Sequence, residues 1–516
     1  MDVHPVRQPI LIGLILLSLL QAAGVPRSAA AEDGAGVRAP VVAGRFYPGD
    51  AIRLSGALDA YFEDAVRAAG DRPLALIAPH AGYIFSGQIA ADAFNQALGH
   101  DYDLVVLLGT NHTADGFAGV SVYPGGGYRT PLGTAPIDRK LSAALIAGND
   151  DITFEPSVHL REHSIEVLVP FVQRLFPQTP IVAAVVGAPR PDMCIRFGKA
   201  LAAHLKHRRA LIVASSDLSH YPAYEDAQRV DGTVLEAMTA LDPQTLHAEI
   251  ERQMRRLVPN LSTCACGEGP ILAALASARE LGATCARVVS YANSGDTAIG
   301  QRDRVVGYAA VAVTAGGDCP ASLLRETESG AAAAADLTAA QQKSLLAFAR
   351  KTIRQFHFSR TVPLARGMDL FQDRKQGAFV TLKKNGRLRG CIGHMRRDLP
   401  LGQVVGAMAW QAAFNDRRFS HVTLDELPQI EIEISVLTPF QPIPEPAAIT
   451  VGRDGVLIKK GGRSAVFLPQ VAREQGWDRT ETLEHLCRKA GLPPGAWRQK
   501  AQLFTFQARV FKESDF

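Results

Sequence analysis

At 516 residues, with 47% hydrophobic and 21% charged side chains, the chain has the composition of globular protein and is too long for one ordinary core, which predicts two or more domains. A formal charge of +4 spread over that length, without a dense Lys/Arg block, argues against nucleic acid as a partner. Seven cysteines (Cys194, Cys264, Cys266, Cys285, Cys319, Cys391, Cys487) are too few for a disulfide scaffold, and the odd count leaves at least one thiol outside intramolecular pairing.

Residues 1–31 read as a secretory signal peptide: Arg7, an apolar run from Ile10 to Leu20, then Ser28-Ala29-Ala30-Ala31 before a cleavage point near Glu32. The run is short for a membrane span, so the folded part is expected to be exported, periplasmic or extracellular. An uncleaved signal would leave a membrane anchor, and a cytoplasmic location follows if the signal reading is wrong.

Between Arg38 and Thr314, apolar strand candidates alternate with helix-length segments, the pattern of an α/β layered domain, here bounded at 38–315. The strand candidates are Leu74 to Ala78, Leu104 to Leu108, Ile181 to Val186, Leu211 to Ala214, Val288 to Ala292 and Val305 to Val313. Glu162 to Leu175 has helical spacing, with Pro170 predicting a kink or a late start; Pro270 to Leu281 reads as another helix. Small and polar residues at 316–337 form an inter-domain linker. In the remainder, 338–516, a helix over Leu337 to His357, a hairpin over Gly377 to Gly393 with Asn385-Gly386 at its tip, and an alternating strand over Glu431 to Leu437 predict an α+β domain.

Three strand candidates run into ligand-type side chains: Ala78-Pro79-His80-Ala81-Gly82-Tyr83, Gly109-Thr110-Asn111-His112 and Ser215-Ser216-Asp217-Leu218-Ser219-His220. Strand ends are where open α/β sheets collect ligands, so these point to a mononuclear metal site. The third ligand is either Cys266, just ahead of a helix whose dipole favours a thiolate, or Glu268; alternatively Cys266 is a nucleophile or a disulfide partner. Two histidines and a carboxylate would select ferrous iron, while a thiolate widens the choice to copper or zinc. Asp217 and His220 share a loop, where a carboxylate can orient an imidazole base, although Asp217 would equally cap the turn. Glu162, His163, Ser164 and Glu166 open a helix and read first as capping residues, with His163 also a candidate to contact substrate. Tyr83, Phe85 and Tyr128 are candidate walls of an aromatic-accepting pocket. Cys391, between two glycines, is either a nucleophile or a small buried residue.

These motifs, with Glu162-His163-Ser164-Ile165-Glu166 and Cys266-Gly267 ahead of Pro270-Ile271, resemble the Memo family over roughly residues 38 to 315. The resemblance implies a fold related to the class III extradiol dioxygenases, which use non-haem iron. It implies His80, His112 and Cys266 as metal ligands, flanked by Asp217 and by His220 in the position of the catalytic base. Residues 338 to 516 resemble the AMMECR family through Leu388-Arg389-Gly390-Cys391-Ile392-Gly393, Asn415-Asp416-Arg417-Arg418-Phe419, Glu433-Ile434-Ser435-Val436-Leu437-Thr438-Pro439 and Val466-Phe467-Leu468-Pro469-Gln470-Val471. Such proteins also occur as separate components beside a radical SAM protein, in the AmmeMemoRadiSam grouping, which makes such a protein a partner by association.

The expectation is a metal-dependent redox protein, with Fe(II), copper or zinc, acting on a small aromatic or chelating substrate. Its rival is a non-catalytic adaptor that binds a metal or a peptide, with the second domain recruiting a partner.

Overall fold

The computed structural model describes residues 36–316, 319, 336–365 and 374–516. The signal-like segment 1–31, and the expected linker apart from residues 316, 319, 336 and 337, lie outside the described residues. Among the described residues no helix is long and apolar enough to cross a membrane.

The first domain is organised on an eight-stranded sheet in the spatial order Cys285–Asn293, Gly307–Thr314, Pro73–Ala78, Ala210–Ser215, Leu104–Thr110, Ile181–Val186, Val120–Val122, Ile152–Thr153. The four central strands, from Pro73–Ala78 to Ile181–Val186, are mutually parallel. Their near-continuous apolar sequence follows from burial on both faces. Ala75, Ile77, Val106, Ala184 and Ile212 face one core, under the helices Pro191–Leu205, Tyr224–Thr239, Pro243–Arg255 and Glu268–Glu280. Leu76, Ala78, Val105, Ala183 and Leu211 face the other, under Ala51–Glu63, Tyr83–Asn95 and Val169–Leu175. Because the strands are parallel, their C-terminal ends, and the residues that follow, come out at one edge.

The helix expected from Glu162 begins only at Val169, with Pro170 in its first turn. Pro170 has no amide proton to donate, and a first-turn position is where that omission costs nothing. Residues 162 and 163 are consequently irregular and 164–168 turns, free to send several side chains inward.

The second domain carries two antiparallel sheets. The hairpin Ala378–Lys384/Arg387–His394 is flanked by Ile430–Leu437 and Ala508–Lys512, with the helices Ala339–Ser359 and Leu401–Phe414 packed on it. Asn385 and Gly386 at its tip both have positive φ (51° and 77°), as the tight Asn-Gly turn requires. A second sheet, with the helices Pro469–Glu474 and Arg479–Lys489, follows. The domains touch directly. The Phe358 ring lies where a Cβ on Gly56 would be, so the glycine gives the ring its seat between those two helices. Gln403 donates to the Gly295 carbonyl and accepts from Arg302, and Lys351 pairs with Asp64.

Candidate metal centre

His80 and His112 follow strands that lie two apart in the sheet, about 10 Å at backbone spacing. Their rings reach over the end of the intervening strand Ala210–Ser215, to a centroid separation of 5.2 Å. His163, from the turns ahead of Pro170, stacks on His112 at 4.7 Å. Nitrogens of His80, His112 and His163 lie within 4.8 Å of one another, and so do ligand atoms of His80, Asp217 and Cys266. His80 belongs to both sets.

The hydrogen bonds decide which nitrogens are available. The Ser215 hydroxyl donates its single proton to the Ser164 carbonyl (2.6 Å), so it must accept from His80 Nδ1 (2.8 Å). That leaves His80 Nε2 as a bare lone pair, 3.3 Å from the Cys266 sulfur. Glu162 accepts from His112 Nδ1 (2.9 Å) and from its backbone N–H (2.6 Å), which turns Nε2 away from the carboxylate; burial works to lower the ring, but the Glu162 bond and charge outweigh it and raise it above its ordinary value. The same carboxylate also accepts from the backbone N–H groups of His163 and Ser164 (2.8 Å each). Burial works to raise the Glu162 carboxyl, but the bond and charge of His112 outweigh it and hold the group down at about 2. His220 Nε2 is buried with no hydrogen-bond partner among the described residues. Burial lowers His163 and His220 to about 4, so both rings are neutral at pH 7.

Several expectations need correction. Asp217 accepts from the N–H groups of His80 (2.8 Å) and Ala81 (3.3 Å), which positions the His80 turn; no hydrogen bond links it to His220. Burial, and then the Asp217 charge, push the Cys266 thiol well above its ordinary value, overriding the helix N-terminus. Glu268 turns away to the neighbouring helix, accepting from His247 Nδ1 at 2.6 Å, and belongs to neither ligand set. Tyr128 is a core residue rather than a pocket wall, its hydroxyl bonding His159 Nδ1 (3.0 Å), whereas Tyr83, buried with its hydroxyl donating to the Val167 carbonyl, also lines a cavity at the boundary between the domains. One aromatic side chain beside the cluster is Phe46, edge-on to His163 at 4.9 Å. The disulfide joins Cys285 to Cys319, leaving Cys264 and Cys266 free. In the second domain Cys391 accepts from the Thr381 hydroxyl (3.3 Å), and burial raises its thiol, which leaves it protonated.

Behind the loop that ends at His220, Asp231 is fully buried and accepts from the Ser219 N–H (2.9 Å), the Ser219 hydroxyl (3.0 Å) and Tyr291 (2.8 Å). Burial raises its carboxyl from 3.8 to about 7 against those bonds. The folded state therefore holds this proton more tightly than the unfolded state, and stability falls as pH rises between those two values. Between about pH 5 and about pH 8 the group removes about 2–3 kcal/mol. Urea unfolding at both pH values is expected to show a drop in the wild type that is smaller by about that amount in Asp231→Asn; equal drops would refute the assignment.

Fold and side-chain cluster together define an α/β domain that gathers histidines, a thiol and carboxylates at parallel strand ends. Residues 38–312 match the family model described as Memo-like protein, and residues 346–511 match that of AMMECR1. The chain belongs to the Memo family and carries an AMMECR1 domain behind the Memo-like one. It is 34% identical to a MEMO1 family protein of Desulfurococcus amylolyticus over 287 residues, covering 53% of this chain and 98% of the relative. The corresponding figures for a MEMO1 family protein of Aquifex aeolicus are 38% over 282 residues, 53% and 97%. A solved structure, the uncharacterized protein PH0010 from Pyrococcus horikoshii, is 36% identical and covers 33% of this chain and 90% of its own, with a TM-score of 0.32.

Proposed function

We propose that the Memo-like domain is a mononuclear-metal redox protein related to the non-haem-iron extradiol dioxygenases, with His80, His112 and Cys266 holding the ion. The observation that carries this reading is His80: its Nδ1 is committed to Ser215, so its lone pair is presented on Nε2 beside the Cys266 sulfur. A histidine locked through its other nitrogen is how metal sites orient their ligands, and His112 with Glu162 repeats the device. Imidazole and thiolate donors suit iron, copper or zinc. Bound there, the metal would supply Lewis acidity and, for iron or copper, electron transfer.

The chain's own residues do the rest. His220, neutral and with an unpartnered Nε2, is the acceptor for a substrate hydroxyl proton. Phe46 beside His163 offers an apolar edge to a small aromatic or chelating substrate. Asp217 keeps the His80 turn in place. The Cys285–Cys319 disulfide suits an oxidising compartment and supports export.

Elemental analysis of the full chain purified anaerobically is expected to find about one metal ion per chain in the wild type and almost none in His80→Ala. Equal metal in both refutes the site. Oxygen uptake with a panel of catechols then tests the reaction: a metal-loaded protein inert to all of them refutes the dioxygenase-like chemistry.

A further inference from the structure

A cavity of ≈ 390 Å³ opens between the two domains, and neither domain encloses it alone. The Memo-like side supplies the loop 44–50, Arg53, Tyr83 and Ile84; the AMMECR1 side supplies Phe356, Ser359, Arg360 and Thr361. Three arginines (Arg45, Arg53, Arg360) line it against one acid, Asp50. Asp50 is already engaged as the cap of the helix Ala51–Glu63 and lies 3.7 Å from Arg53. The apolar lining comes from Phe46, Ile84 and Phe356.

Arg45, Arg53 and Arg360 are each exposed to solvent, and what sets them apart from other surface charges is that all three line one cavity. Gly44 has φ +77°, and a Cβ on Gly49 would come within 3.1 Å of Gly44, so glycines close the loop that carries Arg45 and Phe46. Arg360 sits in the left-handed region (φ 59°, ψ 26°), as the residue that ends the helix Ala339–Ser359. That position is ordinarily glycine, since a Cβ there costs about 1 kcal/mol. Arg360 does not spend its side chain on the helix carbonyls; its guanidinium lies over the Phe356 ring, 5.3 Å from the centroid, at the cavity wall. Arg53 and Arg360, from different domains, both act on His357, which burial and then these two charges hold below its ordinary value. Converging cations in a partly enclosed, partly apolar space concentrate anions.

We propose that this inter-domain cavity binds a small organic anion with an apolar body, the anionic group held by Arg45, Arg53 and Arg360 and the body packed on Phe46 and Phe356. The fusion then completes one binding site from two domains. Phe46 is shared with the metal cluster, because its ring edge meets His163. A ligand seated here is linked through Phe46 and His163 to His112, on which His163 stacks.

Isothermal titration calorimetry on the full chain, with benzoate and phenyl phosphate as probes and benzyl alcohol as the uncharged control, tests this. The expected result is saturable binding of at least one anion, one per chain, and none of the alcohol; the anion that binds more tightly identifies the headgroup as carboxylate or phosphate. Arg360→Gly removes the guanidinium while suiting the positive φ, so it preserves the fold, and it is expected to weaken binding at least tenfold. Arg45→Ala should weaken it similarly. His80→Ala should leave binding unchanged, which separates this site from the metal reading. Failure of both anions to bind, equal binding of benzyl alcohol, or unchanged affinity in Arg360→Gly overturns the proposal.

Discussion

Glu166→Ala is expected to cost the protein about 4 kcal/mol of stability. Glu166 is fully buried and forms an ion pair with Arg38 at 2.7 Å, both side chains being almost wholly withdrawn from water. Its two oxygens also accept from the N–H groups of Val41 and Val42 (2.9 Å each) and from the Tyr47 hydroxyl (2.8 Å). Removing one partner of a buried pair leaves the other charge uncompensated, which typically costs about 3–5 kcal/mol. Orphaned amides add to this, and water entering the space left by the side chain offsets part of it. Arg38 keeps its bonds to the carbonyls of His159 and Glu162, which limits the loss. The measurement is the urea midpoint and slope of the variant. Arg38→Met combined with Glu166→Gln should be less damaging than Glu166→Ala alone, because no unpaired charge then remains. A loss under about 1 kcal/mol in Glu166→Ala would refute this role.

The second large effect is on metal affinity. With the metal held as proposed, Glu162→Gln is expected to weaken binding about 10–100-fold, as loss of an outer-sphere carboxylate usually does. Glu162 accepts four hydrogen bonds, two of them from His112. Glutamine replaces one oxygen by a donor, so an N–H group must then face an NH₂, and the bond to His112 Nδ1 loses the carboxylate charge that holds the ring in place. Competition against a chelator of known affinity measures the change. An affinity within about twofold of wild type, in a preparation where His80→Ala has lost its metal, would show that Glu162 does not act through His112.

Much of the first domain was legible because its physics is local. Parallel strands buried on both faces must be apolar throughout, so 73–78, 104–110, 181–186 and 210–215 stand out as runs, and a His, Ser or Asp just after such a run can lie only at the sheet edge. Glu162 and Glu166 were harder to read. Acids ahead of an apolar helical stretch look like helix caps, and only the delayed start at Val169 shows them to be buried acceptors. Tyr128 misled in the opposite direction, since an aromatic side chain has the same sequence signature whether it faces a site or the core. The short strands Val120–Val122, Gly127–Thr130, Gly133–Pro136 and Ile152–Thr153 are too brief to show a period.

The amino-acid sequence by itself determined the Memo-like and AMMECR1 domains, the parallel core strands and the position of His80, His112, Asp217 and His220 just after them. Those properties depend on hydrophobic period and on motifs contiguous along the chain. Only the tertiary structure decided which nitrogen of each histidine is available, that Asp217 positions His80 rather than His220, and that Glu268 faces away. It alone brought Arg45 and Arg53 to the same cavity as Arg360, more than 300 residues later in the chain. Hydrogen-bond direction, burial and inter-domain contact depend on partners remote in sequence, and no local pattern encodes them.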